Sequence, residues 1–287
     1  MKTENQKPAI PLDYYLDSIK KLKTMGVKFI TYNDLPFEDD FEVKDAYPFE
    51  FHRWNTRIKK TNDQNIYVLI QHDTDSGFRS TINLSRNERD LGAIANIMTF
   101  AKWRSDSEDG PLEEYPISFE ALADLQQSNF MIGYHTNAWH NANFNDEKVF
   151  HHFYDDISYL ISKGLNISFF SPHGGKTIEG KGNVSFDYML DIKKEGFKKF
   201  IQDRSLHSYF RNLRWIHNRY TCKFNGYYSD GGLKRRMKDN KDDLDLNDFI
   251  SKMKPGKRYR MLIHPQYYGN ENLQRFETDL GWYNNLF

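Results

Sequence analysis

A single cysteine, Cys222, among 287 residues rules out an internal disulfide, so the fold must rest on its own packed core. No stretch approaches the roughly 20 apolar residues of a membrane span. The opening MKTENQKPAI has no apolar run of signal-peptide length. These absences lead to the expectation of a cytoplasmic protein without a membrane span. An excess of charge of either sign is also missing, because 40 basic residues face 40 acidic ones. No global field draws in a polyanion, and nucleic acid is not an expected partner. Low-complexity tracts and internal repeats are absent as well.

Aromatic residues, by contrast, make up 16% of the chain, and such bulky side chains can fill the core of one large domain. A chain of this length fits a single α/β barrel. The periodicity agrees. Tyr14, Tyr15, Ile19 and Leu22 recur at helical spacing before Gly26 stops a helix over 11–25, and VKFITY then reads as a strand. Residues 34–65 show no period and read as an insertion. After them, strands at 66–70, 93–100, 130–134 and 167–170 alternate with helices at 80–91, 118–127 and 146–163. Ser118 and Asp146 are the expected helix caps. A helix at 186–195, strands at 197–201 and 226–228, a helix at 246–253 and a strand at 259–263 complete the pattern. Alternation of this kind predicts crossover units and a parallel sheet.

Chemistry-bearing side chains follow the C-terminal ends of these strands. IYVLIQ leads into His72-Asp73-Thr74-Asp75, MIGY into His135 with His140 five residues on, and ISFF into Ser171-Pro172-His173-Gly174-Gly175. GYYSD ends on Asp230, and RYRMLI leads into His264. A parallel barrel gathers such ends at one rim, where barrel enzymes place their reactive groups. One carboxylate and two imidazoles around an open position make a catalytic divalent-metal site. Asp75, His135 and His140 supply that set. Asp73, on the same turn, is the candidate base, and His264, from the last strand, the candidate acid. A spacing of five turns His140 about 140° from His135 on a helix, so His173 is the alternative third ligand. Gly174 and its neighbours could offer backbone N–H groups to an oxyanion. Trp139 could stack on a sugar or fill the core. Asp230 could bond the base region or begin a turn, and His72 is a further candidate on the first motif.

QHDTDSG, RDLGAIANIMTF, IGYHTNAWH, SPHGG, YYSDGG and LIHP, in this order between about Asp13 and Tyr268, resemble the polysaccharide deacetylases and their HDVD-motif relatives from surface-polysaccharide gene clusters. The resemblance implies a distorted (β/α)₇ barrel and an Asp-His-His metal site at Asp75, His135 and His140. It further implies a base at Asp73 and a Leu-x-His acid at Leu262 and His264. The implied cofactor is a divalent metal, zinc foremost, with other first-row ions as alternatives. The implied reaction removes an N-acetyl group from a nucleotide- or lipid-linked amino sugar or glycan. Hydrolysis of a glycosidic or other C–N bond, or silent glycan binding, are the alternatives. The chain departs from the commoner members by the inserted Thr74, by the spacing of its histidines, and by SPHGG in place of an Arg-x-Pro motif whose arginine supports the base.

Overall fold

The computed structural model describes residues 10–35, 64–75, 77–104, 111–143, 145, 148–173, 213–216, 224–231 and 246–269. The expected insertion falls almost wholly outside them, as do Asp146, Gly174, Cys222, the helix expected at 186–195 and the strand expected at 197–201.

The first unit is helix α1 (Leu12–Thr24) followed by β1 (Lys28–Ile30). Tyr15, Ile19 and Leu22 form its buried stripe, and Gly26 ends it at φ +71°, a left-handed conformation that suits glycine. β2 (Tyr67–Asp73) precedes α2 (Phe78–Asp90), which Gly92 ends at φ +76° before β3 (Asn96–Thr99). A small antiparallel pair, β4 (Lys102–Arg104) and β5 (Leu112–Glu114), follows, with no forerunner in the sequence pattern. Ser118 caps α3 (Phe119–Gln127) by accepting the Ala121 N–H, as expected. Then come β6 (Met131–Thr136), the one-turn α4 (Ala138–Asn141), α5 (Val149–Ser162) and β7 (Phe169–Pro172). The last elements are β8 (Arg214–Trp215), β9 (Gly226–Ser229), α6 (Leu246–Ser251) and β10 (Arg258–Ile263).

Eight strands form one parallel sheet in the order β8-β7-β6-β3-β2-β10-β9, with β1 beside β2. β2 shares one edge between two neighbours: Lys28–Ile30 pair with its first half and Asn96–Met98 with its second. Buried Asn96 bridges the split, donating to Ile70 O at 2.8 Å and accepting the Tyr32 N–H at 2.9 Å. Backbone groups left over where β1 departs are thereby satisfied.

The sheet is curled into a half-barrel. Four strand spacings separate β7 from β10 in the order above, which in a flat sheet is about 19 Å. Yet side chains following both strands reach Asp75, His173 within 3.4 Å and His264 within 3.7 Å. The core divides accordingly. Alternate residues such as Val68, Ile70, Ile97, Ile132 and Phe170 face a large outer cluster with the helices, whereas Leu69, Met98, Met131 and Phe169 form a smaller inner one with Ile30, Tyr32, Leu35 and Ile216. Among the described residues no pairing joins β8 to β9. The structure therefore supports the barrel-like α/β class, and the closed sevenfold barrel is not reached within these residues. No helix among them is long and apolar enough to cross a membrane.

Candidate metal centre

Alternation along the strands decides what faces the inside of the curl. On β2 the inward positions are Leu69, Gln71 and Asp73, and the chain stays extended far enough for Asp75 to follow on the same side. The intervening Thr74 turns away. Its N–H and Oγ1 both donate to Met98 O, at 3.1 and 2.9 Å, and its carbonyl accepts the Tyr115 hydroxyl. A residue between the two aspartates thus puts both carboxylates on one face, since positions i and i+2 of an extended chain point the same way.

Donor atoms of Asp75, His135 and His173 all lie within 4.8 Å of one another. His135 Nε2 is 3.3 Å from Asp75 Oδ1 and 3.9 Å from Asp73 Oδ2, and His173 Nε2 is 3.4 Å from Asp75 Oδ1. The other nitrogen of His135, Nδ1, lies 3.2 Å from Ser171 O. That carbonyl can only accept, so it favours the Nδ1–H tautomer and leaves the Nε2 lone pair facing the carboxylate. His135 Nε2 and Asp75 Oδ1 are both buried without a hydrogen-bond partner. Each orphan of this kind costs about 1–3 kcal/mol. Two electron-rich atoms facing each other at such a cost fit a cation placed between them, and an Asp-His-His donor set suits a divalent first-row ion. Phe100 walls the group, stacking on His135 at 5.3 Å and meeting His173 edge-on at 5.1 Å.

The electrostatics agree with a cation site. Burial alone would raise the Asp75 carboxyl, but His173, His135 and His264 around it more than offset this and hold it below its usual range. Burial lowers His135, and the charges of Asp73 and Asp75 overcome that and raise it. His173 is lowered to about 4, chiefly by burial, so it stays neutral and able to ligate.

On the far side of Asp75 stands His264. Its Nε2 is 3.7 Å from Asp75 Oδ2, its ring stacks on Tyr267, and its Nδ1 is 2.6 Å from Asp230 Oδ1. Burial would lower this imidazole, but the charge and hydrogen bond of Asp230, helped by Asp75 and Asp73, raise it to about 10. Asp230 thus serves the acid candidate and not the base region.

Of the remaining sequence candidates, His140 lies on α4 outside the converging group, and its charge is among the lesser influences lowering His173. Trp139 is 2% exposed and belongs to the outer core. His72 points to the outer side of β2, where its Nε2 meets Glu88 at 3.0 Å. Sequence reasoning assigned no role to Gln71, Ser171 or Gln266, which bond to members of the group. Gln266 donates to Asp75 Oδ2 at 3.4 Å, and Gln71 donates to Asp73 Oδ1 at 2.6 Å. Gln71 was within reach of the pattern, standing two residues before Asp73 on the same face. A cavity of about 830 Å³ lined by Lys28, Tyr67, Met131 and Arg258 lies at the opposite, N-terminal end of the strands and includes none of the donor group. In parallel barrels that end serves stability, so the strand-end cluster is the better candidate site. The chain matches no protein-family model and no curated protein.

Proposed function

We propose that the chain is a metal-dependent hydrolase that removes an N-acetyl group from an amino sugar, with Asp75, His135 and His173 as the ligands that would hold the metal. The supporting observation is the flanking of one donor group by two side chains that can carry protons, a carboxyl and an imidazole. Asp73 sits beside His135, and His264 stands across Asp75 with Asp230 behind it.

A divalent ion in such a site, zinc foremost, supplies Lewis acidity that polarises a carbonyl and brings the pKa of water towards neutrality. Asp73 is placed to take a proton from the attacking water at Oδ2, the oxygen that faces His135. His264 is placed to give one from Nε2 to the departing amine, while Asp230 holds the ring through Nδ1. Amide hydrolysis needs both transfers, because an amine leaves poorly unless protonated. His135 is closed off at 2% side-chain exposure, whereas Asp73, Asp75, His173 and His264 keep 13–17% and line the open side a substrate would enter. The amino-sugar substrate, carried on a nucleotide, a lipid or a glycan, rests on the resemblance of HDTD, IGYHTNAWH, SPHGG and LIHP to the deacetylases. Incubation of metal-loaded protein with N-acetylated amino sugars, free, nucleotide-linked and oligomeric, is expected to release acetate. Release of a sugar instead of acetate would replace this reading with glycoside hydrolysis.

A further inference from the structure

Gln71 stands 1% exposed inside the curl and makes three hydrogen bonds with one amide. Its Nε2 donates to Asp73 Oδ1 at 2.6 Å, while its Oε1 accepts from the Tyr32 hydroxyl at 2.5 Å and from Arg260 Nη2 at 2.7 Å. Arg260 is itself 3% exposed on β10, with its guanidinium 5.4 Å over the Tyr227 ring.

The chemistry of the partners fixes which way round the amide sits. A tyrosine hydroxyl could turn and accept, but a guanidinium has only donors. Reversing the amide would set its N–H₂ against Arg260 and its oxygen against the Asp73 carboxylate, two repulsive contacts in a buried place. Arg260 therefore locks the N–H₂ end of Gln71 onto Asp73 and also polarises it, which strengthens a bond to an anion. With Oδ1 so engaged, Oδ2 is the oxygen directed at His135.

We infer that Gln71, locked by Arg260 and Tyr32, is the positioning residue that holds the Asp73 carboxylate in one orientation and selects Oδ2 as its working oxygen. The catalytic consequence rests on the hydrolase reading above, whereas the orientation itself does not. The positive charge of Arg260 reaches Asp73 through the Gln71 amide.

Three variants separate the links. Gln71→Leu removes the amide, Gln71→Glu keeps the acceptor for Arg260 and Tyr32 while deleting the donor to Asp73, and Arg260→Met frees the amide to reverse. Each is read by metal content, by kcat and KM for acetate release, and by a high-resolution crystal structure. The expected result is unchanged metal, a kcat lowered about 10-fold or more with KM within about 2-fold, and an Asp73 carboxylate rotated in both Gln71 variants. Arg260→Lys, which keeps a buried donor cation, is expected to restore part of the kcat lost in Arg260→Met. An Asp73 carboxylate in the same place in Gln71→Leu and Gln71→Glu overturns the inference, whatever the activity. Rotation of the carboxylate in a protein that releases no acetate would uphold the inference and overturn the hydrolase reading instead. Should Gln71→Leu fail to fold, Gln71→Glu, which keeps the buried volume and two of the three bonds, decides alone.

Discussion

Asp230 grips His264 twice, with Oδ1 2.6 Å from the ring Nδ1 and Oδ2 accepting the backbone N–H of the same residue at 2.6 Å. The carboxylate is fully buried, so it holds both the direction and the charge of the imidazole from just beyond the end of β9 to just beyond the end of its neighbour β10.

That grip sets a pH dependence. With its folded pKa raised from 6.5 to about 10, His264 stays protonated through neutral pH, and its stabilising contribution is fully present below pH 6.5 and lost as pH rises through about 10. Asp230→Asn removes the charge that raises it. The basic limb of the kcat profile for acetate release is then expected to move to lower pH. A limb that stays put would assign it to another group.

Removal of the proposed acid, His264, distinguishes leaving groups. His264→Ala is expected to keep its metal and to lose roughly 10²–10⁴-fold in kcat on an acetamide, which needs a protonated amine. An activated aryl acetate, whose phenolate leaves unaided, should lose far less. Equal losses on both substrates would make His264 a substrate-positioning residue.

Elemental analysis addresses the donor set. Protein purified with a first-row divalent metal is expected to carry about one ion per chain. Asp75→Ala, His135→Ala and His173→Ala should each abolish it, and His140→Ala should not. Affinity is also expected to fall with acidification, because a proton on His135 competes for the lone pair facing Asp75. A His140→Ala protein that loses its metal while His173→Ala keeps it would exchange the two residues.

Asp156 predicts a stability trend that is independent of the metal. This carboxyl on α5 is buried, accepts the Tyr134 hydroxyl at 2.6 Å, and is pushed up from 3.8 to about 7, chiefly by burial. A raised carboxyl stabilises the fold below the unfolded pKa, and the benefit drains away as pH rises from about 4 through about 7. In the presence of a chelator, Tm should therefore fall across that window, and Asp156→Asn should flatten the fall. Tm curves of the same shape for both proteins would place the titration elsewhere.

Much of this molecule was legible locally. The stripe of Tyr15, Ile19 and Leu22, the stops at Gly26 and Gly92, the Ser118 cap and the positions of seven parallel strands follow from spacing and backbone preference within a few residues. The placing of Asp73, Asp75, His135, His173 and His264 at or just after the C-terminal ends of strands was legible for the same reason, since a parallel sheet sends every strand end to one side. The antiparallel pair of β4 and β5 left no such trace, being three residues long on each side.

Tertiary structure alone brought His173 to Asp75 and His135, because register across two strands, His135 opposite Ser171, carries it there, whereas His140 lies on the short helix after β6. It likewise brought Arg260 to Gln71 across 189 positions of sequence and Asp230 to His264 across 34. Spacing along a chain encodes which face a side chain takes, but the partner it meets there depends on how the sheet curls. In this protein that curl carries residues after β7 and β10, four strands apart, to the same aspartate.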